Sequence, residues 1–296
     1  LWPPDAVAEG CECTVCVTAD SHNKGTLTIQ DAINKVKATG GTVCLGPGYY
    51  TLEKSLSIKG AESVRVKGQG WKTVLLHQGD GSAILSEQSF GVTIEEMAIL
   101  TSGMSPALTL RNCFGVTFQR CIVLQTDSHE KEMPGSPAIV LDGWHFVTIL
   151  RGNGLIASTG MANIAGEKTE KTGVSYLLTA GFYVEDNLLW CRRKGISLDG
   201  FSMHFAETRI SGNSVYGCTE GGIIAVGGVL PGFRLDVNGN EIHATGDGII
   251  VGTDDARIMN NDIAVWGEGT GDGIALVPGL DPTGLDHCQV LGNRIA

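Results

Sequence analysis

The chain reads as an all-β solenoid of parallel strands, with about 25 residues per coil and a short helix near its start. Two observations predict this. A motif of small residue, Ile, any residue and hydrophobic residue returns at a nearly fixed interval, with no helical segment between its copies. A column of asparagines returns in phase with it.

The motif is clearest late in the chain, as Gly195-Ile196-Ser197-Leu198, Gly222-Ile223-Ile224-Ala225, Gly248-Ile249-Ile250-Val251 and Gly273-Ile274-Ala275-Leu276. The steps between these glycines are 27, 26 and 25 residues. A repeat this short cannot bury its own hydrophobic face, so neighbouring coils must bury one another. Earlier copies are Ala83-Ile84-Leu85-Ser86, Ala107-Leu108-Thr109-Leu110 and Ala138-Ile139-Val140-Leu141. The step from Ala138 to Gly195 is 57 residues, room for two coils and an insertion. The expected missing coil is Ser175-Tyr176-Leu177-Leu178. The expected insertion is the polar, Gly-rich stretch 158–173.

Asn187, Asn213, Asn240, Asn261 and Asn293 each precede a pair made of any residue and a hydrophobic one. Met97 and Cys121 fill the same column in early coils. Asn tolerates the left-handed backbone of a sharp corner, and its amide can bond to its counterpart one coil away. Turn preference alone explains each Asn but not their spacing.

Residues 1–25 form a Cys-rich segment, and the solenoid is expected over 26–296. Within it, 28–38 predicts a helix that caps the open end of the coil. Ile29, Ala32, Ile33 and Val36 share one helical face, Thr28 and Asp31 stand at N-cap and N3, and Gly40-Gly41 stops the helix. A strand and a Pro-Gly turn follow over 42–50.

These residues carry a resemblance. Ile29-Gln30-Asp31-Ala32-Ile33, then Gly40-Gly41-Thr42-Val43-Cys44-Leu45-Gly46-Pro47-Gly48-Tyr49-Tyr50, resembles the opening of the pectin-lyase-like right-handed parallel β-helix superfamily. Gly68-Gln69-Gly70-Trp71-Lys72-Thr73-Val74-Leu75 is similar to its next coil. The resemblance spans roughly 26–296 and implies a single-stranded right-handed parallel β-helix. Members include polysaccharide lyases, glycoside hydrolases, uronate epimerases, phage tailspikes and scaffolds without catalysis. The Cys-rich start also resembles a bacterial β-helix group that implies no activity.

Composition narrows the partners. A net charge of −11 disfavours nucleic acid and anionic membrane surfaces, and 42% hydrophobic content contains no stretch long enough to span a bilayer. The same charge opposes polyanionic sugars unless local cations or bound Ca²⁺ reverse the field. The 42 glycines suit a chain that turns three times per coil. The sequence starts Leu1-Trp2-Pro3-Pro4 and ends mid-coil at Asn293-Arg294-Ile295-Ala296. It is therefore expected to be a piece of a longer protein, extracellular or part of a secreted or injection-type assembly.

Nine cysteines are present. Cys11, Cys13 and Cys16, with Cys44 downstream, could bind Zn²⁺ as four thiolates. A local disulfide and buried thiols are the competing readings. Cys113, Cys121, Cys191, Cys218 and Cys288 read as small core residues.

Outward side chains at one position of each coil form a line matched to an extended polymer. The residue after the first strand is Glu87, Arg111, Asp142, Thr179, Asp199, Val226, Gly252 and Val277 in successive coils. The early half is charged and the late half apolar, so a loop, another domain of the same longer chain or a sister subunit is expected over the late face. The candidate catalytic residues are Asp142, Asp199 and Arg111. With one coil between them the two carboxylates would stand roughly 9–10 Å apart, near the upper limit for inverting hydrolysis. A lyase would use Arg111 to neutralise or deprotonate a uronate beside a carboxylate-held Ca²⁺. Trp144, His145, His204 and Glu87 would bind the sugar. The competing account is structural: Asp-Gly is turn chemistry, and Arg111 pairs with Glu87 or Asp142. Asp254-Asp255 resembles the acid pair of the polygalacturonase branch but lacks that branch's other motifs. Two functional classes follow: a binding or scaffolding β-helix associated with carbohydrate, or a polysaccharide lyase or glycoside hydrolase.

Overall fold

The computed structural model describes residues 13–126, 135–164, 177–230, 233–267, 271–278 and 285–296, without the side chains of 177 and 200–203. Among the described residues every strand pairing is parallel and belongs to one continuous 24-stranded sheet. The sheet winds around a single axis and presents three faces.

The first face stacks Ile84, Leu108, Ile139, Met161, Ile196, Ile223, Ile249 and Ile274 in register. The second stacks Val43, Val66, Ile94, Phe118, Leu150, Val184, Ile210, Val237 and Ile258. The third stacks Tyr50, Leu75, Ile99, Val123, Leu155, Leu189, Val215, Ile242 and Ile263. These side chains alternate with outward ones and meet along the axis as one core.

Five points refine the sequence reading. The coil missing between Ala138 and Gly195 begins at Gly160-Met161-Ala162-Asn163, not at 175–178. Met161 pairs with Ile139 and Ile196, whereas Leu178 pairs with Trp144 and His204. Of the expected insertion, 158–164 lies in the strand Gly154–Ile164, and 165–173 lies outside the described residues.

The coil also starts earlier than 26. Strand Val15–Val17 already pairs with Gly41–Leu45, inside the expected Cys-rich segment. Between these two strands lie helix α1 (Ala19–Asn23) and helix α2 (Ile29–Val36). Thr28 Oγ1 accepts from Asp31 N at 3.1 Å while Asp31 Oδ2 accepts from Thr28 N at 3.0 Å, a complete capping box. Buried Ile29, Ala32, Ile33 and Val36 face the core.

Cys13 and Cys44 are joined by a disulfide, with Cα atoms 5.7 Å apart. A disulfide sulfur is not a thiolate, so the expected zinc set of Cys11, Cys13, Cys16 and Cys44 loses two ligands. Cys11 lies outside the described residues, and Cys16 is exposed. Cys113, Cys121, Cys191 and Cys218 are buried, and burial pushes the Cys121 and Cys218 thiols up to about 12.

The asparagine column is a continuous amide ladder, and it includes Asn153. Asn153 Nδ2 donates to Asn187 Oδ1 at 2.9 Å, and Asn187, Asn213 and Asn240 repeat the bond to the next rung at 2.9 Å. Asn261 donates to Asn293 Oδ1 at 2.8 Å. Each Oδ1 also accepts a backbone N–H from the rung before, starting with Cys121 N at 3.0 Å. Each Nδ2 also reaches a carbonyl, such as Val184 O for Asn213 at 2.9 Å.

The left-handed residue of this corner is not the Asn but the one before it. Gly212 and Gly239 have φ of 66° and 64°, and Asp186 and Asn260 have 55° and 54°. That is why the motif reads Gly-Asn: glycine takes the left-handed turn without strain, and Asn supplies the amide. No described helix is long and apolar enough to cross a membrane, which says nothing of β-barrels.

Candidate functional site

The outward row of the first face runs Lys59, Glu87, Arg111, Asp142, Ile164, Asp199, Val226 and Gly252 in register. Ile164 replaces the expected Thr179, which belongs to the next corner and pairs with His145 and Phe205. Asp142 and Asp199 are therefore separated by one rung, which sets their backbones roughly 9–10 Å apart.

The early part of the row alternates in sign, and each charge finds a neighbour. Lys59 Nζ lies 3.2 Å from Glu87 Oε2, and Arg111 Nε donates to Asp142 Oδ2 at 2.6 Å. Asp142 is only 5% exposed, although its position points outward. Val140, Ser197 and Ile224, also outward on this face, are buried as well. Lys194 Nζ lies 3.5 Å from Asp199 Oδ2, and this aspartate is partly exposed. The Asp199 backbone is fixed by Asn163, whose Oδ1 accepts from Asp199 N at 2.7 Å and whose Nδ2 donates to Asp199 O at 2.7 Å.

The expected sugar-contacting residues divide. Trp144 is exposed; its backbone N–H donates to Asn112 Oδ1 at 3.1 Å, and its ring packs 5.5 Å from Phe146. His204 is partly exposed and lies in register with Leu178 and Gly228. His145 turns inward. It is 1% exposed, and neither ring nitrogen has a well-aligned hydrogen-bond partner. Burial pushes its pKa down to about 4, so the ring is neutral at pH 7 and out of reach of an outer ligand. Among the described residues no group of three or more His, Cys, Asp and Glu side chains is placed to hold a metal ion.

The first-face row thus contains a closed ion pair rather than two carboxylates facing one bond. A general acid and base must both reach the sugar, and Asp142 is covered and charge-compensated.

The third face presents a different row, which sequence reasoning missed. Trp190 and Trp266 are each 59% exposed, with Tyr216 and His243 between them. The ring centroids of Trp190 and Tyr216 are 6.2 Å apart, those of Tyr216 and His243 5.0 Å, and those of His243 and Trp266 5.9 Å. Glu241 Oε1 holds the His243 ring through Nε2 at 3.0 Å. Register explains the row, because Trp190, Tyr216 and His243 are cross-rung partners. A signal existed: each stands three positions after a ladder asparagine. A second stack, Phe90 on Phe114 at 4.6 Å and Phe114 on Phe146 at 6.2 Å, lies where the second face begins.

No protein-family model matches the chain, and no curated protein matches its sequence. Solved structures do match. An alginate lyase from Paenibacillus sp. str. FPU-7 aligns at TM-score 0.57 and 11% identity, over 95% of this chain and 98% of the lyase. ORF18 of Geobacillus virus E2 aligns at TM-score 0.53 and 15% identity, over 95% of this chain. A mutant tailspike of E. coli bacteriophage HK620, in complex with a pentasaccharide, aligns at 0.50 and 13% identity over 90% of this chain. The chain spans 60% of the viral protein and 62% of the tailspike. At these identities the likeness is one of fold, and it agrees with the register and the amide ladder: the chain is a right-handed parallel β-helix.

Proposed function

We propose that this β-helix binds an extended polysaccharide along its axis and does not cleave it, as one part of a larger secreted or phage-type assembly. The aromatic row Trp190, Tyr216, His243 and Trp266 carries the reading. It offers one ring per rung, and apolar ring faces stack on the C–H faces of sugars. The pentasaccharide held by the tailspike neighbour supports the ligand class. The apolar late outward positions of the first face, Val226 in one row and Ile250 in the row beside it, are the proposed contact for further domains or a sister subunit.

The alternative is lyase or hydrolase action at Arg111, Asp142 and Asp199. Trp144 and the part-exposed Asp199 favour it, and the closed Arg111–Asp142 pair opposes it. A panel of acidic and neutral polysaccharides separates the two. The expected result is retention on at least one polymer, with no release of reducing or unsaturated ends, and loss of retention in Trp190→Ala. Release of ends that disappears in Asp142→Asn and Asp199→Asn would establish the enzyme instead.

A further inference from the structure

Late on the second face, an open recess of about 280 Å³ is lined by Phe233, Arg234, Asp255, Arg257, His287 and Gln289. Its volume is near the lower end of small-ligand sites, about 300 Å³. Three successive rungs build it. Arg234 precedes Leu235, which pairs with Ala256 beside Asp255, and Arg257 pairs with Gln289.

Five arginines of the earlier rungs are held in ion pairs, while Arg209 lies over the Tyr183 ring. Arg65 and Arg120 converge on buried Glu95, Arg111 sits on Asp142, Arg151 on Glu185 and Arg193 on Glu220. Arg234 and Arg257 make no ion pair among the described residues, in a chain whose net charge is −11. The nearest acids are otherwise placed. Asp255 Oδ1 lies 3.9 Å from His287 Nδ1, and Asp236, which is in register with Arg257, leaves Oδ1 buried without a hydrogen-bond partner. The lining therefore offers two guanidinium forks, an amide, an imidazole and one carboxylate, Asp255, which lies beside His287. Phe233, 46% exposed, forms its apolar side.

We propose that this recess binds a carboxylate-bearing sugar unit, the carboxylate on Arg234 and Arg257 and the sugar ring against Phe233. Guanidinium forks match carboxylate geometry in bidentate fashion, and a ring wall selects a sugar over a bare anion. The sugar half of the assignment rests on the polysaccharide reading, whereas the anion half rests on the lining alone. The site reconciles an acidic protein with an acidic ligand, because the cations are local.

The test is calorimetric or NMR titration of the whole chain with galacturonate, glucuronate, galactose and inorganic phosphate. Binding of a uronate is expected to be at least about tenfold tighter than that of galactose, the size of one charge-assisted contact. Arg257→Gln and Arg234→Gln should each weaken it about tenfold, with an unchanged circular dichroism spectrum. Arg257→Lys, which keeps the charge and loses the fork, should fall between. Trp190→Ala should leave uronate binding intact, which separates this site from the third-face row. Phosphate binding without uronate binding would overturn the sugar assignment. Equal affinity for uronate and galactose, or uronate binding unchanged in both arginine variants, would overturn the site. Uronate binding without any polymer binding would instead overturn the proposed function and leave the recess standing.

Discussion

The amide ladder and the charged row of the first face use the same device, one residue per rung stacked along the axis, and they do opposite things. In the ladder each interior asparagine gives two hydrogen bonds and receives two, all inside the core. Nothing but Asn has that donor and acceptor set at that length. The residue type therefore stays constant from Asn153 to Asn293. In the outward row the residue type changes from rung to rung, Lys59, Glu87, Arg111, Asp142, Ile164, Asp199, because an outward position accepts any partner of suitable charge. The lesson is that identity down a column reports structure, and variation down a column leaves room for local function.

The largest effect should come from breaking the ladder. Asn213→Ala removes the acceptor of Asn187 N and Nδ2 and the donor to Asn240 Oδ1 and Val184 O. Leaving several buried groups unpaired should cost about 4 kcal/mol in urea unfolding. A cost near zero would mean that the amides do not stabilise the corner.

Next in size is an acid-dependent loss at the opposite corner. His145 is neutral in the fold with a pKa of about 4, below its unfolded value of 6.5. Its contribution is whole above pH 6.5 and is lost as pH falls towards 4, because the unfolded chain takes the proton first. The loss should be on the order of 3 kcal/mol. His145→Phe should flatten that part of the stability profile, and an unchanged slope would assign it elsewhere.

Asp142→Asn should be milder, about 1–2 kcal/mol, since its partner Arg111 is partly solvated and can rehydrate. Trp190→Ala should be smallest, within about 0.5 kcal/mol in stability, because the ring is mostly in water. A large stability loss there would make the third-face row structural and remove it as a binding surface.

Much of this architecture was legible because columns repeat. The late glycine motifs sit at steps of 25 to 27 and the asparagines recur alongside them, so the winding followed from them. What hid the middle coil was spacing and substitution together. Asn163 occupies the slot where the adjacent rungs carry Leu141 and Leu198, and the step from Gly160 to Gly195 is 35 residues. Asn153 was missed for the same reason, lying 32 residues after Cys121 and 34 before Asn187. The candidate site was less legible. Alternation along a strand places Asp142 outward, but it says nothing of burial at that point or of which arginine answers it. His145 inverted the expectation because a register shift between Asp142 and His145 breaks the alternation. Most of the aromatic row was readable in principle, three places beyond Asn187, Asn213 and Asn240, yet the rings gain meaning only once rungs are known to stack.

The most direct measurement is affinity against oligosaccharide length, using fragments of whichever polymer the chain retains. Affinity should climb with each added sugar until the fragment spans Trp190 to Trp266, roughly four units at one per rung, and then level off. Affinity independent of length, or a length dependence unaltered in Trp190→Ala and Trp266→Ala, would contradict an axial polymer site on this helix.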